Sequence, residues 1–283
     1  MLSILIPTYH YNIVPLINEL NSQCLGCDIK FEILVYDDGS KSTINTINHS
    51  INTIQNCTFN ELPHNIGRSA IRNLLGKHAN YENLIFLDAD VLPLNQNFIK
   101  NYLFFSKENV AVGGLKHTEK PSKKPYKLRW VYTKKREQKT LSSANFFIKK
   151  DVFKKNYFDE SIKKYGYEDV VFFNNLKKNI SVFTFKNQVI HHANDNANLF
   201  LFKTETALEN LKELVEHGKL TKNQSSIYKY YLYLKKLGLI KITATIFKNF
   251  KKPISSNLNS NYPSMLLYDF YRLGYFCQLN IKT

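Results

Sequence analysis

The sequence predicts an α/β fold: a mainly parallel sheet flanked by helices, followed by a helical C-terminal extension. Short apolar runs alternate with segments of helical periodicity through the first half of the chain, which is the pattern of β-α-β units. From Asn198 onward strand signals cease, and the chain becomes rich in Lys, Leu and Tyr with helical patterning. We therefore expect a sheet domain over residues 1–197 and a helical extension over residues 198–283.

The first two elements show how each strand and helix is identified. Leu2–Ile6 is a continuous apolar run, and in segment 13–24 Val14, Ile17 and Leu20 recur near helical spacing. The same reasoning predicts further strands at Phe31–Tyr36, Thr58–Leu62, Leu84–Leu87, Val110–Val112, Ser143–Ile148, Ser181–Phe185 and Val189–His191. It predicts further helices at Gly67–His78, Asn97–Phe105 and Tyr167–Lys177.

Two segments interrupt this pattern. Residues 116–140 contain Pro121, Pro125 and many lysines. We expect a solvated basic loop there, with a mobile lid over an anionic ligand as the alternative. In the helical extension a break is expected at Lys252-Pro253, because proline lacks an N–H and its ring crowds the preceding turn.

Composition narrows the class of protein. The chain has 283 residues, of which 43% are hydrophobic and 22% charged, as in ordinary globular proteins. A net charge of +16 favours anionic partners, which include nucleic acid, a nucleotide ligand and an anionic membrane face. Cys24 and Cys27 form an isolated C-x-x-C, and two unremarkable thiols are the simplest interpretation. The absence of a signal peptide and of a long apolar run favours the cytoplasm.

The acidic pair Asp88 and Asp90 follows a buried strand directly. Burying carboxylates is costly unless a cation or strong donors meet them, so we expect the pair to face a cleft. Hard oxygen ligands in this arrangement suit a divalent cation that holds a phosphorylated ligand, whereas a solvated acidic turn is the alternative. Strand ends at Pro7-Thr8-Tyr9 and Asp37-Asp38-Gly39-Ser40 carry polar clusters too. In a parallel sheet such ends meet at one edge, where ligands bind.

An ordered set of motifs resembles the family 2 glycosyltransferases, which are inverting enzymes of the GT-A fold that use nucleotide sugars. The motifs span about residues 1 to 195 and are Ile4-Leu5-Ile6-Pro7-Thr8-Tyr9, Val35-Tyr36-Asp37-Asp38-Gly39-Ser40, Asn65-Ile66-Gly67-Arg68-Ser69-Ala70-Ile71-Arg72-Asn73, Leu87-Asp88-Ala89-Asp90 and Gly166-Tyr167-Glu168-Asp169. The segments 128–137 and 187–191 look like a bacterial polysaccharide-type subgroup of that family, except that Gln188 stands where proline is expected.

The resemblance implies a metal site at the acidic pair. Asp90 becomes the protein ligand for Mn²⁺ or Mg²⁺, and Asp88 lies nearer the ribose or the metal's water shell. His191, rather than His192, completes the metal site in this resemblance. Its imidazole is a ligand that suits Mn²⁺. A structural histidine at a strand end is the alternative.

The resemblance also implies a donor pocket. Asp37 accepts from a ring N–H of the nucleotide base, while Asp38 and Gly39 shape the turn. Arg68 and Arg72 share one helix face near the donor, although a solvated basic face is the alternative for either one. The residues expected to contact the donor are Pro7, Thr8, Tyr9, Asp37, Arg68, Arg72, Asp88, Ala89 and Gly114.

For catalysis, the resemblance makes Asp169 the general base that accepts the acceptor proton, with Glu168 orienting the acceptor. The alternative is that both simply complement the dipole of the helix that they open. Trp130, Arg136, Glu137 and Asn145 are further candidate donor or acceptor contacts, and Trp130 could equally lie in a core.

Together these features predict a metal-dependent hexosyltransferase. It would move a sugar from a nucleotide donor, with uridine the commonest base in the family, to a hydroxyl of a glycan or lipid-linked acceptor. Two other classes stay open: a basic nucleic-acid-binding protein, which the scattered lysines and lack of a recognised module do not favour, and a nonenzymatic nucleotide-binding relative. The helix around Ile240–Phe250 predicts either peripheral attachment to an anionic membrane or packing, including homodimerisation.

Overall fold

Apolar segments of the first half of the chain form a seven-stranded and a three-stranded sheet. The computed structural model describes residues 1–192 and 195–281. Within them the strands are β1 Leu2–Thr8, β2 Phe31–Asp37, β3 Cys57–Glu61, β4 Asn83–Leu87, β5 Val91–Pro93, β6 Val110–Val112, β7 Leu115–Lys116, β8 Asn145–Lys149, β9 Val182–Thr184 and β10 Val189–His191.

Helices occupy most of the remaining chain. The described helices are α1 Val14–Leu25, α2 Asn45–Asn48, α3 Arg68–His78, α4 Phe98–Phe104, α5 Lys127–Lys135, α6 Lys150–Lys155, α7 Glu168–Leu176, α8 Ala197–Glu216, α9 Ser226–Lys236, α10 Ile240–Leu258 and α11 Met265–Leu279, with 3₁₀ turns at His49–Thr53 and Glu137–Lys139. None of these helices combines the length and the hydrophobicity that crossing a membrane requires.

The larger sheet is mainly parallel, as predicted. Its strand order is β3-β2-β1-β4-β8-β6-β9. The pairs β1–β2, β2–β3, β1–β4 and β6–β9 are parallel, and only β8 runs antiparallel to its two neighbours. The smaller sheet has the order β5-β10-β7. A sheet with this β-α-β connectivity places the carboxyl ends of β1, β2 and β4 at one edge.

Both faces of the larger sheet are covered, which explains why its strands read as continuous apolar runs. Ile4 and Ile6 of β1 point to one face, where they pack with Ile17 of α1. Leu5 points to the other face, where Leu75 of α3 packs. Phe172 of α7 extends that second core and stacks on Phe158 with ring centroids 3.9 Å apart.

The described chain divides into two compact units. The first comprises residues 1–117, 137–163 and 172–192, and the second residues 118–136, 164–171 and 195–281. In the second unit, α5, α8, α10 and α11 share a core that includes Leu128, Leu201, Phe247, Leu258 and Tyr268. The predicted domain boundary at residue 197 stays a prediction. Outside the described residues lie 193 and 194 of the predicted sheet domain and 282 and 283 of the predicted extension.

Two sequence expectations were wrong. The segment 116–140 is not wholly irregular, because α5 forms within it and buries Leu128, Arg129 and Thr133. Lys252-Pro253 does not break the helix, since α10 continues through Pro253 to Leu258. Pro253 is exposed, whereas its neighbour Ile254 is buried. Burial of the opposite face of the helix therefore offsets the loss of the backbone hydrogen bond that proline cannot make.

Candidate functional site

The carboxyl ends of β1 and β2 set the first part of the site. Thr8 lies opposite Asp37 in the parallel register, and Asp38 N–H donates to the Thr8 carbonyl at 2.9 Å. Pro7 is half-buried here, while Tyr9 is 52% exposed and meets the His10 ring edge-on at 4.5 Å. The predicted strand-end cluster therefore forms, with Tyr9 at its open side.

Asp37 is fully buried with one carboxylate oxygen satisfied. Its Oδ2 accepts from Ser40 N–H at 2.7 Å, whereas its Oδ1 has no hydrogen-bond partner among the described residues. Thr8 Oγ1, buried beside it in the register, likewise lacks one there. Each such buried atom costs about 1–3 kcal/mol of desolvation. A ligand offering a donor and an acceptor at this point would recover that loss.

Asp38 has a different task from Asp37. Its Oδ1 accepts from Ile66 N–H at 2.7 Å and its Oδ2 from Gly67 N–H at 3.1 Å, immediately before α3. Burial raises the pKa of Asp38, and these two N–H groups oppose the rise. Gly39 has φ +65°, and a Cβ there would lie 2.3 Å from the His64 carbonyl carbon. Asp38 and Gly39 thus shape the turn, as expected, and fix the start of α3.

Asp88 pairs with the arginines of α3. Arg72 Nη2 donates to its Oδ1 at 2.5 Å, and Arg68 Nη2 lies 3.8 Å from its Oδ2. The Arg72 side chain is 2% exposed and the Arg68 side chain 46%. A solvated basic face therefore does not describe Arg72. Its Nε, together with the buried Ser69 Oγ, has no hydrogen-bond partner among the described residues.

Asp90 faces His191 rather than Asp88's arginines. Asp90 Oδ2 and His191 Nε2 are 2.9 Å apart, and the other ring nitrogen lies 3.3 Å from Glu137 Oε2. The antiparallel pairing of β10 with β5, which sets His191 opposite Val91, brings the two residues together. Burial, with a smaller contribution from the Asp90 charge, raises the pKa of the Tyr11 phenol.

The Asp90–His191 pair fits a divalent cation as a partial ligand set. Carboxylate oxygen and imidazole nitrogen suit Mn²⁺, and a carboxylate on the second ring nitrogen is the usual support for a metal-bound histidine. No group of three His, Cys, Asp or Glu side chains that could hold a metal occurs within the described part of the chain. A cation here would thus need further ligands from a bound molecule or water.

Gly113, Gly114 and Asn145 belong to a buried network. Asn145 Oδ1 accepts from Tyr102 Oη at 2.6 Å, and its Nδ2 donates to the carbonyls of Gly114 and Asn187 at 2.9 and 2.8 Å. With its amide so engaged, Asn145 is a structural residue rather than the ligand contact that the sequence suggested. Gly114 has φ +82°, and a Cβ on Gly113 would lie 2.4 Å from the Asn187 carbonyl oxygen.

The second unit contains Glu168 and Asp169 in the first turn of α7. Gly166 and Tyr167 before them have φ +94° and +69°. Asn210 Nδ2 donates to the Gly166 carbonyl, and a Cβ on Gly166 would lie 2.6 Å from Ala207 Cβ. Glu168 is buried, and Asp169 Oδ1 accepts from Val170 N–H at 2.8 Å. Helix α8 therefore holds the loop that presents both acids.

Trp130 and Arg136 also belong to the second unit. Trp130 Nε1 donates to the Thr118 carbonyl at 3.0 Å, and Lys127 lies over its ring at 4.8 Å from the centroid. Arg136 Nη2 donates to Asp269 Oδ2 at 2.5 Å. Both side chains thus have structural contacts within their own unit.

The structure gives Glu137 a more specific contact than the sequence indicated. Glu137 was named as a donor or acceptor contact, but its contact with His191 joins residues 54 apart. Nothing local in the sequence indicates that pair.

A mainly parallel sheet with acids and a buried arginine at its carboxyl edge defines an α/β protein whose candidate ligand site lies at that edge. Comparison with family models then identifies it more closely. The model described as "Glycosyl transferase family 2" matches residues 3–172, more than half of the chain. The chain therefore belongs to glycosyl transferase family 2.

Solved structures share the GT-A fold with this chain. S. aureus TarS 1-349 in complex with UDP-GlcNAc aligns with a TM-score of 0.52 and 17% identity, covering 99% of this chain and 91% of that one. The mannosyltransferase PcManGT from Pyrobaculum calidifontis, in complex with GDP-Man and Mn²⁺, aligns with a TM-score of 0.59 and 13% identity, covering 99% and 86%.

A longer S. aureus TarS structure aligns with a TM-score of 0.52 and 22% identity, covering 72% of this chain and 38% of that chain. The chain thus corresponds to little more than a third of that protein. No curated protein sequence matches this chain.

Proposed function

We propose that this glycosyltransferase moves a sugar from a UDP-sugar to a hydroxyl of a glycan or lipid-linked acceptor, with inversion by single displacement. The proposal rests on two neighbouring contacts at the carboxyl edge of the sheet. Asp90 lies 2.9 Å from His191, and Asp88 lies 2.5 Å from Arg72. This edge supplies both anion-binding and cation-binding groups for a sugar diphosphate.

The nucleoside end of the donor would lie against Thr8 and Asp37. The Asp37 Oδ1 lone pairs suit the N–H of a pyrimidine ring, and Thr8 Oγ1 offers a hydroxyl to the base or ribose. The related folds support both uridine and guanosine nucleotides, since TarS was solved with UDP-GlcNAc and PcManGT with GDP-Man. Uracil is the proposed base, because its pairing edge offers one N–H to the single open oxygen of Asp37, whereas guanine would present a ring N–H and an amino group together.

The diphosphate would lie between Asp90, His191 and the arginines of α3. Asp90 and His191 would hold a Mn²⁺ or Mg²⁺ ion, and Glu137 would keep the His191 ring oriented from its other nitrogen. A bound ion supplies Lewis-acid neutralisation of the departing diphosphate. Arg68, which is half-exposed, and Arg72, which is fixed by Asp88, add positive charge on the donor side.

Asp169 is proposed as the general base and Glu168 as the residue that orients the acceptor. A base that removes the acceptor proton on the side opposite the leaving diphosphate gives inversion at the anomeric carbon. The positive φ values of Gly166 and Tyr167 turn the chain sharply before these acids, so they begin a helix from a rigid corner.

The donor is tested by screening UDP-, GDP- and CDP-sugars for thermal stabilisation, each with and without Mn²⁺. We expect the largest shift with one UDP-sugar plus Mn²⁺, and Asp37→Asn should reduce the preference for UDP over CDP. A larger shift with GDP-sugars would contradict the choice of base, and equal shifts with and without the ion would contradict metal use.

The base is tested by Asp169→Asn with Asp151→Asn as its matched control. Both acids lie in the first turn of a helix, and the Asp151 side chain is 90% exposed. Loss of general-base catalysis should lower transfer about 10²–10⁴-fold while donor binding persists. The control should leave transfer unchanged. Normal transfer by Asp169→Asn would refute the assignment, and no transfer by the parent protein would favour a nonenzymatic nucleotide binder.

A further inference from the structure

Helix α10 exposes an apolar stripe that its own unit does not cover. Ile242, Ile246 and Phe250 are 55%, 44% and 57% exposed. At about 100° per residue, these three side chains fall within an arc of about 80°. The buried residues of the helix, Ala244, Phe247, Ile254 and Leu258, lie on its other side and face the core of the second unit.

A row of lysines forms a second exposed strip on this helix. Lys241, Lys248 and Lys252 are all exposed. By the same helical spacing they fall within an arc of about 40°, which the exposed Thr245 and Asn249 separate from the apolar stripe by about 80°. Helix α10 therefore has three strips: one packed in the core, one exposed and apolar, and one exposed and cationic.

Helix α9 repeats the arrangement. Tyr230, Tyr233 and Leu237, just after its last turn, are at least half exposed and lie at i, i+3 and i+7. Lys229 and Lys236 are exposed beside them. Two consecutive helices of one unit thus present the same combination of exposed apolar and cationic side chains.

The charge of this region has one sign only. Residues 217–268 contain no Asp or Glu, and they contain nine lysines: Lys219, Lys222, Lys229, Lys235, Lys236, Lys241, Lys248, Lys251 and Lys252. Lys251 is engaged by Glu205 at 2.7 Å. All 23 acidic residues of the chain lie outside this region, so the one-sided charge is a local feature.

We propose that helices α9 and α10 dock on the surface of an anionic lipid bilayer, with the apolar stripes in the interface and the lysines against the headgroups. We call the exposed residues named above, Tyr230, Tyr233, Leu237, Ile242, Ile246 and Phe250 with Lys229, Lys236, Lys241, Lys248 and Lys252, the α9–α10 face. Apolar insertion combined with lysines near an anionic surface is how interfacial helices bind.

Other occupants fit this face less well. A second copy would bring two lysine-rich faces together, and like charges at an interface oppose association. Nucleic acid would meet the lysines and could stack on the aromatic rings of this face, but Leu237, Ile242 and Ile246 are aliphatic and would offer it neither stacking nor hydrogen bonds to bases. A bilayer uses both the charge and the apolar stripes.

Sedimentation of the full chain with vesicles tests the proposal. Vesicles of phosphatidylcholine with phosphatidylglycerol should bind it, vesicles of phosphatidylcholine alone should bind it at least about tenfold more weakly, and added salt should weaken binding to the mixture. The combined change Lys241→Gln, Lys248→Gln and Lys252→Gln should reduce binding by about 10²-fold, given about fivefold per lysine. The combined change Ile242→Ser, Ile246→Ser and Phe250→Ser should reduce it by at least about tenfold.

Matched controls carry the same substitutions elsewhere. Lys30→Gln, Lys107→Gln and Lys177→Gln remove three exposed lysines of the first unit, and Phe104→Ser removes a phenylalanine that is 81% exposed. These controls should bind vesicles as the parent does. Equal losses in the controls, equal binding to both vesicle types, or retention of binding by both α10 variants would overturn the proposal.

The readout is independent of the proposed function. Hydrolysis of the donor sugar nucleotide in solution should be unchanged in the α10 variants, so failure of vesicle binding and failure of transfer are distinguishable. Tighter binding to RNA than to vesicles, or a dimer that the α10 variants abolish, would assign the α9–α10 face to a different partner and overturn the bilayer proposal.

Discussion

The carboxyl edge of the sheet and the α9–α10 face depart from ordinary burial in opposite ways. At the sheet edge, polar atoms such as Asp37 Oδ1, Thr8 Oγ1 and Arg72 Nε are buried without a hydrogen-bond partner in the described chain. On the α9–α10 face, large apolar side chains are exposed. Buried polar groups are normally paired, and extended apolar patches are normally covered. Each departure is what we expect of a surface that another molecule completes, namely the proposed donor at the sheet edge and the proposed anionic bilayer at the α9–α10 face.

The largest expected effect is on the sheet edge. Asp90→Ala removes the proposed metal ligand, so kcat/KM for sugar transfer should fall about 10³-fold, equivalent to about 4 kcal/mol of transition-state stabilisation. Steady-state kinetics with saturating Mn²⁺ measures this change. Asp151→Ala, at an acid whose side chain is 90% exposed, is the control and should retain parental kinetics. Parental kinetics for Asp90→Ala would mean that this edge of the sheet takes no part in the reaction.

The next effect is on stability and separates the two arginines. Arg72→Met leaves Asp88 without its buried partner, so the free energy of unfolding should fall by about 3 kcal/mol. Arg68→Met removes a half-exposed contact at 3.8 Å and should change that free energy by less than about 1 kcal/mol. Urea denaturation measures both. Equal changes would mean that the Arg72–Asp88 pair contributes no more than a surface contact.

A smaller effect is expected at the support of the metal site. Glu137→Gln weakens the acceptor opposite one ring nitrogen of His191, so Mn²⁺ affinity should fall about tenfold. Calorimetric titration of Mn²⁺ in the presence of UDP measures the affinity. Glu108→Gln, at an exposed glutamate of the same unit, should leave it unchanged. An unchanged affinity for Glu137→Gln would restrict Glu137 to a structural contact.

The smallest effect on folding is expected on the α9–α10 face, where two adjacent residues differ. Ile246→Ser changes an exposed side chain and should alter the free energy of unfolding by less than about 0.5 kcal/mol. Phe247→Ala, at a fully buried side chain, should cost about 3–5 kcal/mol. Denaturation of both variants checks the contrast. A large cost for Ile246→Ser would show that the face is covered within the folded chain.

Much of the fold was predictable because apolar runs and helical spacing are local signals. The strands Val110–Val112 and Val189–His191 were predicted to the residue, and the parallel first half was confirmed. Helix α5 was missed because the prolines that precede it and the lysines of the segment indicated a loop, while its burial depends on a partner helix far along the chain. Likewise Pro253 stays within α10 because of packing that no local pattern reports.

The site was predictable in part. The motifs correctly located the strand-end cluster of Thr8 and Asp37, since a strand end and its polar residues are adjacent in sequence. The different environments of Asp88 and Asp90 were less accessible, because they depend on which distant side chains reach each carboxylate. Asn145 shows the converse. The sequence suggests a ligand contact, but the side-chain amide of Asn145 forms hydrogen bonds with Tyr102 and two backbone carbonyls.

The sequence by itself determined the alternation of strands and helices, the family, and the one-sided charge of residues 217–268, because these properties belong to short segments or to composition. The tertiary structure decided the pairing of Arg72 with Asp88 and of Asp90 with His191, the second across 101 positions of chain. It also decided which apolar residues of α10 stay exposed. Such contacts depend on strand register and helix packing, which are set by the whole folded chain rather than by any one segment.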